Sequence, residues 1–186
     1  MKFKIIKKQD QLESFWTGGV TNQLFICPEY SSLQERNFDF RISSAKVDVE
    51  ESNFTPFIGY DRFLMILEGE VEITHEGEYS KILKQFEIDH FSGDWKTSSK
   101  GKIVDFNLIV RNGIKGSLRY ISNNDFRRDK SLPVSTIGYY VISGKMNIVV
   151  NQDNYLVSEG ELIMMDAADE MSEMNGDVEI IEILIG

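Results

Sequence analysis

The sequence predicts an all-β fold of antiparallel strands with very little helix. Three observations carry that expectation. Apolar residues alternate with a period of two in many short runs of Val, Ile, Phe and Tyr, as half-buried strands require. The runs are separated by Gly, Asn, Asp and Ser, with 14 Gly against 3 Pro, so the connections read as tight turns rather than proline spacers. A seven-residue pattern also recurs 75 positions apart: Leu67-Glu68-Gly69-Glu70-Val71-Glu72-Ile73 and Ile142-Ser143-Gly144-Lys145-Met146-Asn147-Ile148 share apolar, polar, Gly, charged, apolar, polar, Ile. Each copy reads as strand, glycine turn, strand, because glycine accepts the positive φ of such a turn. Two copies suggest two similar small barrels; a chance likeness between two hairpins is the other reading.

Taken in order, the chain opens with a short helical turn expected over Asp10 to Phe15, where Asp10 and Glu13 have capping-box spacing. Strands are expected at Gln23 to Ile26, Phe38 to Val49, Phe63 to Glu68, Glu70 to His75, Tyr79 to Leu83, Ile103 to Val110 and Ser117 to Ile121. They continue at Gly138 to Ile142, Lys145 to Val150, Asn154 to Val157, Glu161 to Met165 and Val178 to Ile185. The polar turns Glu76-Gly77-Glu78 and Asn151-Gln152-Asp153-Asn154 punctuate two hairpins.

Composition excludes several classes. With 186 residues, 41% hydrophobic and 11% aromatic, the chain can bury a substantial core and is not disordered. The densest apolar run, Phe63 to Leu67, is far short of the roughly 18 residues of a membrane span, so no membrane association is expected. The lone Cys27 permits no intrachain disulfide, and the N-terminus does not read as a secretory signal; the expected location is cytoplasmic. The net charge of −10 is concentrated: residues 1–150 carry 20 acidic and 20 basic side chains, while residues 151–186 carry ten acidic and no Lys or Arg. Beyond Arg127-Arg128 no basic stretch exists, so nucleic acid is not an expected partner. The acidic end reads as a solvated surface.

The phase of the polar residues within strands is more informative. Alternate side chains face opposite sides of a sheet. Arg41 and Ser43 share a face with Ala45, Val47 and Val49; Asp105 and Asn107 lie between Ile103 and Ile109; Arg62 shares a face with Leu64 and Ile66. A charge on an apolar row is costly unless paired, so Asp105 is expected to pair with Arg41 or Arg62. Such a pair could simply fix strand register, or the same residues could hold a ligand. The opposite face, Phe38, Phe40 and Ile42, needs a cover, either the second barrel or another chain in a homodimer.

Other chemistry is missing. Only His75 and His90 are present, too few for a three-His centre, and each reads as a surface or loop residue, so no metal or other cofactor is expected. Cys27 before Pro28 has no activating motif, and Gly18-Gly19 is too short for a dinucleotide fingerprint. The residues alone name no reaction.

Six short motifs then carry a resemblance. Trp16-Thr17-Gly18-Gly19-Val20-Thr21-Asn22-Gln23, Phe38-Asp39-Phe40-Arg41-Ile42-Ser43, and Phe54-Thr55-Pro56-Phe57 followed by Gly59-Tyr60-Asp61-Arg62 come first. Leu67-Glu68-Gly69, Phe91-Ser92-Gly93-Asp94 and Asp105-Phe106-Asn107 follow. In order and spacing they resemble the HutD/Ves family. The resemblance implies a bicupin, two jelly-roll barrels in one chain, here residues 1–115 with the motifs and residues 116–186 as a smaller second barrel. It also implies no metal-binding histidines and no established enzymatic activity. One branch of the family is linked to histidine utilisation and another to stress response.

The family's shared polar positions fall on Thr21, Arg41, Ser43, Arg62, Asp105 and Asn107. With Trp16 as an apolar wall and Gln23 beside them, they form the expected ligand pocket. An Arg guanidinium holds a carboxylate through two parallel hydrogen bonds, so the expected ligand is a small carboxylate and the expected role a metal-free sensor or regulator. Two alternatives remain: an isomerase or lyase with Asp105 as base and an Arg as electrostatic stabiliser, recognisable by a raised Asp105 pKa, and an interaction module docking through the acidic C-terminal barrel.

Overall fold

The computed structural model describes residues 3–122, 133–169 and 171–186; Arg127-Arg128 lies outside them. It is all-β. The strands begin with β1 Lys4–Ile6, β2 Leu12–Trp16, β3 Gly19–Cys27, β4 Phe40–Val47, β5 Glu51–Asn53, β6 Tyr60–Glu68, β7 Val71–His75, β8 Tyr79–Leu83 and β9 Ile88–Ser92. They end with β10 Thr97–Lys100, β11 Ile103–Arg111, β12 Gly116–Ile121, β13 Thr136–Val150, β14 Asp153–Ser158, β15 Leu162–Asp166, β16 Met171–Asn175 and β17 Val178–Ile185. The single helical element among the described residues is a 3-10 turn, Lys8–Asp10.

The turn expected over Asp10 to Phe15 is therefore a correction. Leu12 to Trp16 instead form β2, hairpin-paired with β3 from Leu12↔Gln23 to Trp16↔Gly19. Leu12, Phe15 and Trp16 have helical spacing, but all five β2 side chains are exposed, so no core holds that stripe in a helix and pairing with β3 satisfies the backbone instead. The sequence also missed β1, β5, β9, β10 and β16, all short; in β9 and β10 the polar Asp89, Thr97 and Ser99 are buried.

Chain contacts divide the protein into two compact units, residues 11–114 and residues 1–10 together with 115–186. The first ten residues, grouped by sequence with the N-terminal barrel, pair with the other unit through β1 and β15. In the unit of residues 11–114 a six-stranded sheet, β2-β3-β4-β11-β6-β9, and a four-stranded sheet, β5-β10-β7-β8, are both antiparallel. Their inward residues form two apolar clusters: Val47, Leu64, Ile66, Val71, Ile73, Leu83, Phe91 and Ile103, and then Ile26, Phe38, Phe57, Tyr60 and Ile109. Phe38 belongs to the second of these, lying before the start of β4 rather than on its outer row. Phe40 and Ile42 are buried as well, and Phe25 stacks on Phe40 at 5.8 Å.

The unit of residues 1–10 and 115–186 has the sheet order β1-β15-β13-β17-β12, with β14 and β16 pairing to the second half of β13. Its interior is filled by a continuous cluster that includes Tyr139, Val141, Met146, Ile148, Val150, Val157, Ile163 and Met165. The strand pairings repeat those of the first unit. β4-β11-β6-β9 corresponds to β12-β17-β13-β15, and β10-β7-β8 to β16-β13-β14. Gly69 and Gly144 hold equivalent places, with φ of 87° and 83°. An added Cβ at either would strike a backbone carbonyl, that of Lys102 or of Asp177. In the second copy the two expected strands run on as one 15-residue strand, β13, with a register shift between Val141 and Ser143.

Candidate functional site

Strand register sets the site. Across β3, β4, β11 and β6, three transverse rows face the interior of the unit of residues 11–114. The first is Thr21, Ala45, Asp105 and Ile66; the second is Gln23, Ser43, Asn107 and Leu64; the third is Ile26, Arg41, Ile109 and Arg62. Because side chains alternate, every polar member of these rows points to one side. The rows lie between the two apolar clusters and border a cavity of about 520 Å³. Trp16, Thr21, Arg41, Ser43, Arg62, Asp105 and Asn107 all line it. Gln23 does not; its Oε1 accepts a 2.8 Å hydrogen bond from Arg41 Nε and so orients that guanidinium.

Each charged group is held differently. Arg41 also donates from Nη1 to Ser43 Oγ at 2.9 Å. Arg62 lies among aromatic rings, 4.8 Å from the Phe54 centroid, 5.3 Å from Phe91 and 5.7 Å from Phe57, and reaches the Thr55 carbonyl at 3.4 Å. Arg62 Nε is buried with no hydrogen-bond partner, and so is Asn107 Oδ1. Trp16, half-exposed at the margin, donates from its indole to Thr21 Oγ1 at 3.3 Å.

The expected pairing of Asp105 with an arginine is not found: neither guanidinium reaches ion-pair distance of its carboxylate, which accepts a hydrogen bond from the Ala45 backbone. Register gives the reason. Both arginines lie opposite Ile109, four residues along β11 from Asp105, so their backbones are offset from it by about 13 Å along the strand and their guanidiniums act on the carboxylate only through space. Burial pushes the Asp105 carboxyl up to about 7, more than Arg62, the Ala45 N–H and Arg41 can pull it down. Burial likewise brings Arg41 and Arg62 down to about 10, so both remain cationic at neutral pH. The cavity wall therefore carries three arginines, Arg36, Arg41 and Arg62, against a carboxylate that is half-protonated near pH 7.

Several lining residues were not read from the sequence as site residues: Ser14, Leu33, Gln34, Arg36, Ser52, Asn53, Phe54, Thr55 and Phe57. Most sit in loops or short strands, where no periodicity marks an inward face. The motifs around them nevertheless have a structural purpose. Asp94 Oδ1 accepts from the Gly59 N–H at 2.7 Å, and Phe57 N–H donates to the Gly93 carbonyl at 2.8 Å, so Phe91-Ser92-Gly93-Asp94 fastens the segment that brings Phe54, Thr55 and Phe57 against Arg62. Tyr60 Oη donates to the Arg36 and Phe38 carbonyls at 2.7 and 3.0 Å, fixing the loop that carries Leu33, Gln34 and Arg36.

His75 is a second correction. Far from a surface residue, it is 1% exposed on β7, with Nδ1 2.8 Å from Thr97 Oγ1 and Nε2 2.9 Å from Asp89 Oδ2. Tyr79 and Lys81 complete the set on Asp89 Oδ1 at 2.8 and 2.6 Å. Burial alone would raise the Asp89 carboxyl, but these donors together lower it. His90 lies exposed on β9, not in a loop, and stacks on Phe63 at 4.2 Å. Among the described residues no group of His, Cys, Asp and Glu could hold a metal ion, and no helix is long and apolar enough to cross a membrane.

The HutD family model matches residues 8–181. The chain belongs to the HutD family. A Pseudomonas putida relative, an uncharacterized 21.2 kDa protein in the hutC 3' region, is 33% identical over 115 residues, which span 58% of each chain. A conserved protein of unknown function from Pseudomonas aeruginosa PAO1 superposes with a TM-score of 0.85 at 19% identity, covering 100% of this chain and 99% of that one. HutD from Pseudomonas fluorescens SBW25 gives 0.77 at 19% identity, covering 98% and 97%. A cupin 2 conserved barrel domain protein from Leptotrichia buccalis gives 0.59 at 14% identity, covering 98% and 96%. The fold of this HutD-family chain is accordingly cupin-like.

Proposed function

We propose that this HutD-family protein binds a small carboxylate in the cavity of residues 11–114 and serves as a metal-independent sensor or regulator. The observation that carries the reading is the charge left open there: Arg41 and Arg62 are both buried, neither is ion-paired to Asp105, and Arg62 Nε has no partner. A buried cation without a counter-ion is expensive, and an anion of the right size relieves that cost. A carboxylate also matches the planar donor pattern of a guanidinium. The cavity, about 520 Å³, lies within the usual range for small-ligand sites.

A raised Asp105 carboxyl favours a second reading, an isomerase or lyase in which Asp105 removes a proton and an arginine stabilises the resulting negative charge. One experiment addresses both. Thermal shifts are measured with formate, glutarate, glutamate, formylglutamate and urocanate for the wild type and Arg62→Met, which keeps bulk but removes the donors. A stabilisation growing with ligand concentration, and reduced about 100-fold in apparent affinity in a folded Arg62→Met, supports the binding reading. Equal shifts in both proteins would show that Arg62 does not anchor the anion. Any acid with a C–H beside its carboxylate that shifts the wild type is then incubated with it in D2O: deuterium entering that carbon, and failing to enter with Asp105→Asn, selects the enzyme instead.

A further inference from the structure

We propose that ligand binding in this cavity is coupled to protonation of Asp105, so that the site takes up a proton with each small carboxylate it holds. The inference rests on the carboxylate-binding reading above and adds a regulatory property to the same site. The titratable side chains lining the cavity are Arg41 from β4, Arg62 from β6, Asp105 from β11 and Arg36 from the loop before β4. Asp105 is the sole acid among the described lining residues. A bound carboxylate would put a second negative charge in one buried chamber, where the low dielectric carries its repulsion to Asp105 and favours the protonated form.

Geometry decides which group takes the proton. The guest can sit against the arginines, whose row carries the open Arg62 Nε, whereas Asp105 lies two rows away with a backbone N–H as its hydrogen-bond donor and no cation in contact. The guest is thus the better stabilised anion. Protonation also turns Asp105 from an acceptor into a donor, on the same strand face as Asn107, whose Oδ1 is an acceptor without a partner. Since burial already brings Asp105 to about 7, the coupling falls in the neutral range.

The test is calorimetric titration of the wild type with sodium formate and with sodium glutarate, both ionised throughout, between about pH 6.5 and 8.5 in two buffers of different ionisation enthalpy. The expected result is affinity that weakens towards tenfold per pH unit above about pH 7, with about one proton taken up per ligand at the alkaline end. Asp105→Asn, which mimics the neutral acid, should bind with a pH-independent affinity close to that of the wild type at low pH, and without proton uptake. Saturable wild-type binding with constant affinity and no buffer dependence overturns the coupling and leaves the carboxylate site standing. If neither acid binds the wild type at any pH, the carboxylate reading fails and the coupling falls with it.

Discussion

At Asp105 burial raises the carboxyl from 3.8 to about 7, so across that interval the folded chain holds a proton that the unfolded chain has released. Stability from this group is then fully present below about pH 4 and is lost as pH rises through about 7, the opposite of a salt-bridged carboxylate. Asp105→Asn should match the wild type in stability near pH 4 and exceed it by about 2 to 4 kcal/mol at about pH 8, as read from urea unfolding at both pH values. A variant less stable than the wild type at the alkaline end would mean that the ionised carboxylate supports the fold. The inward position of this residue was legible from the sequence, because parity alone put Asp105 and Asn107 between Ile103 and Ile109. Its lack of an arginine in contact was not, since that depends on the register of β4 and β6 against β11, which periodicity within one strand cannot fix.

Among the elements, the longer strands with sustained alternation were readable and several of the short ones were not. β8 and β17 match the expected runs residue for residue, and β11 differs by the single residue Arg111. β9 turns Asp89 and Phe91 inward, and β10 turns Thr97 and Ser99 inward; their polarity disguised them as loop until His75 supplied the partner that makes two of them tolerable inside. The aromatic wall about Arg62 was invisible for a related reason, since Phe54 and Phe57 flank Pro56 in a loop with no alternation to show where they point. The glycine pattern was readable because its cause is local. Gly144 combines a φ of 83° with a backbone carbonyl where a Cβ would be, so Gly144→Ala should lower stability by about 2 kcal/mol or more, measured by urea unfolding of the whole chain. An unchanged midpoint would show that β13 can straighten at this point without loss.

Across the whole molecule, one strand plan is used twice with different interiors. Asn107 stands across from Ser43 and Leu64; its counterpart Glu182 stands across from Arg119 and Tyr139. In the second unit the acid meets its base, Arg119 Nε donating to Glu182 Oε2 at 3.0 Å, which is the register-fixing ion pair the sequence had suggested for the first. Beside that pair the described interior is an apolar cluster that includes Tyr139, Val141, Met146 and Ile148, whereas the cavity of the proposed carboxylate site lies in residues 11–114. The charge imbalance of the last 36 residues is partly answered within the same unit, where Lys7 pairs with Glu161 at 3.0 Å and Lys8 with Glu159 at 3.7 Å. Those lysines follow a strand with a packing duty: β1 pairs with β15, Ile6 is buried, and Phe3 packs at a tilt on Tyr155 with ring centroids 4.4 Å apart. The first ten residues are therefore a separated piece of the C-terminal unit, and removing them exposes the β15 edge together with apolar surface. A chain beginning at Gln11 should lose about 2 to 4 kcal/mol in that unit. Hydrogen exchange would then quicken at Leu162 to Met164, while the β4 and β11 amides beside the cavity keep their protection. Equal acceleration in both sets would mean that the two units unfold as one, and that the cavity depends on the terminal strand as much as β15 does.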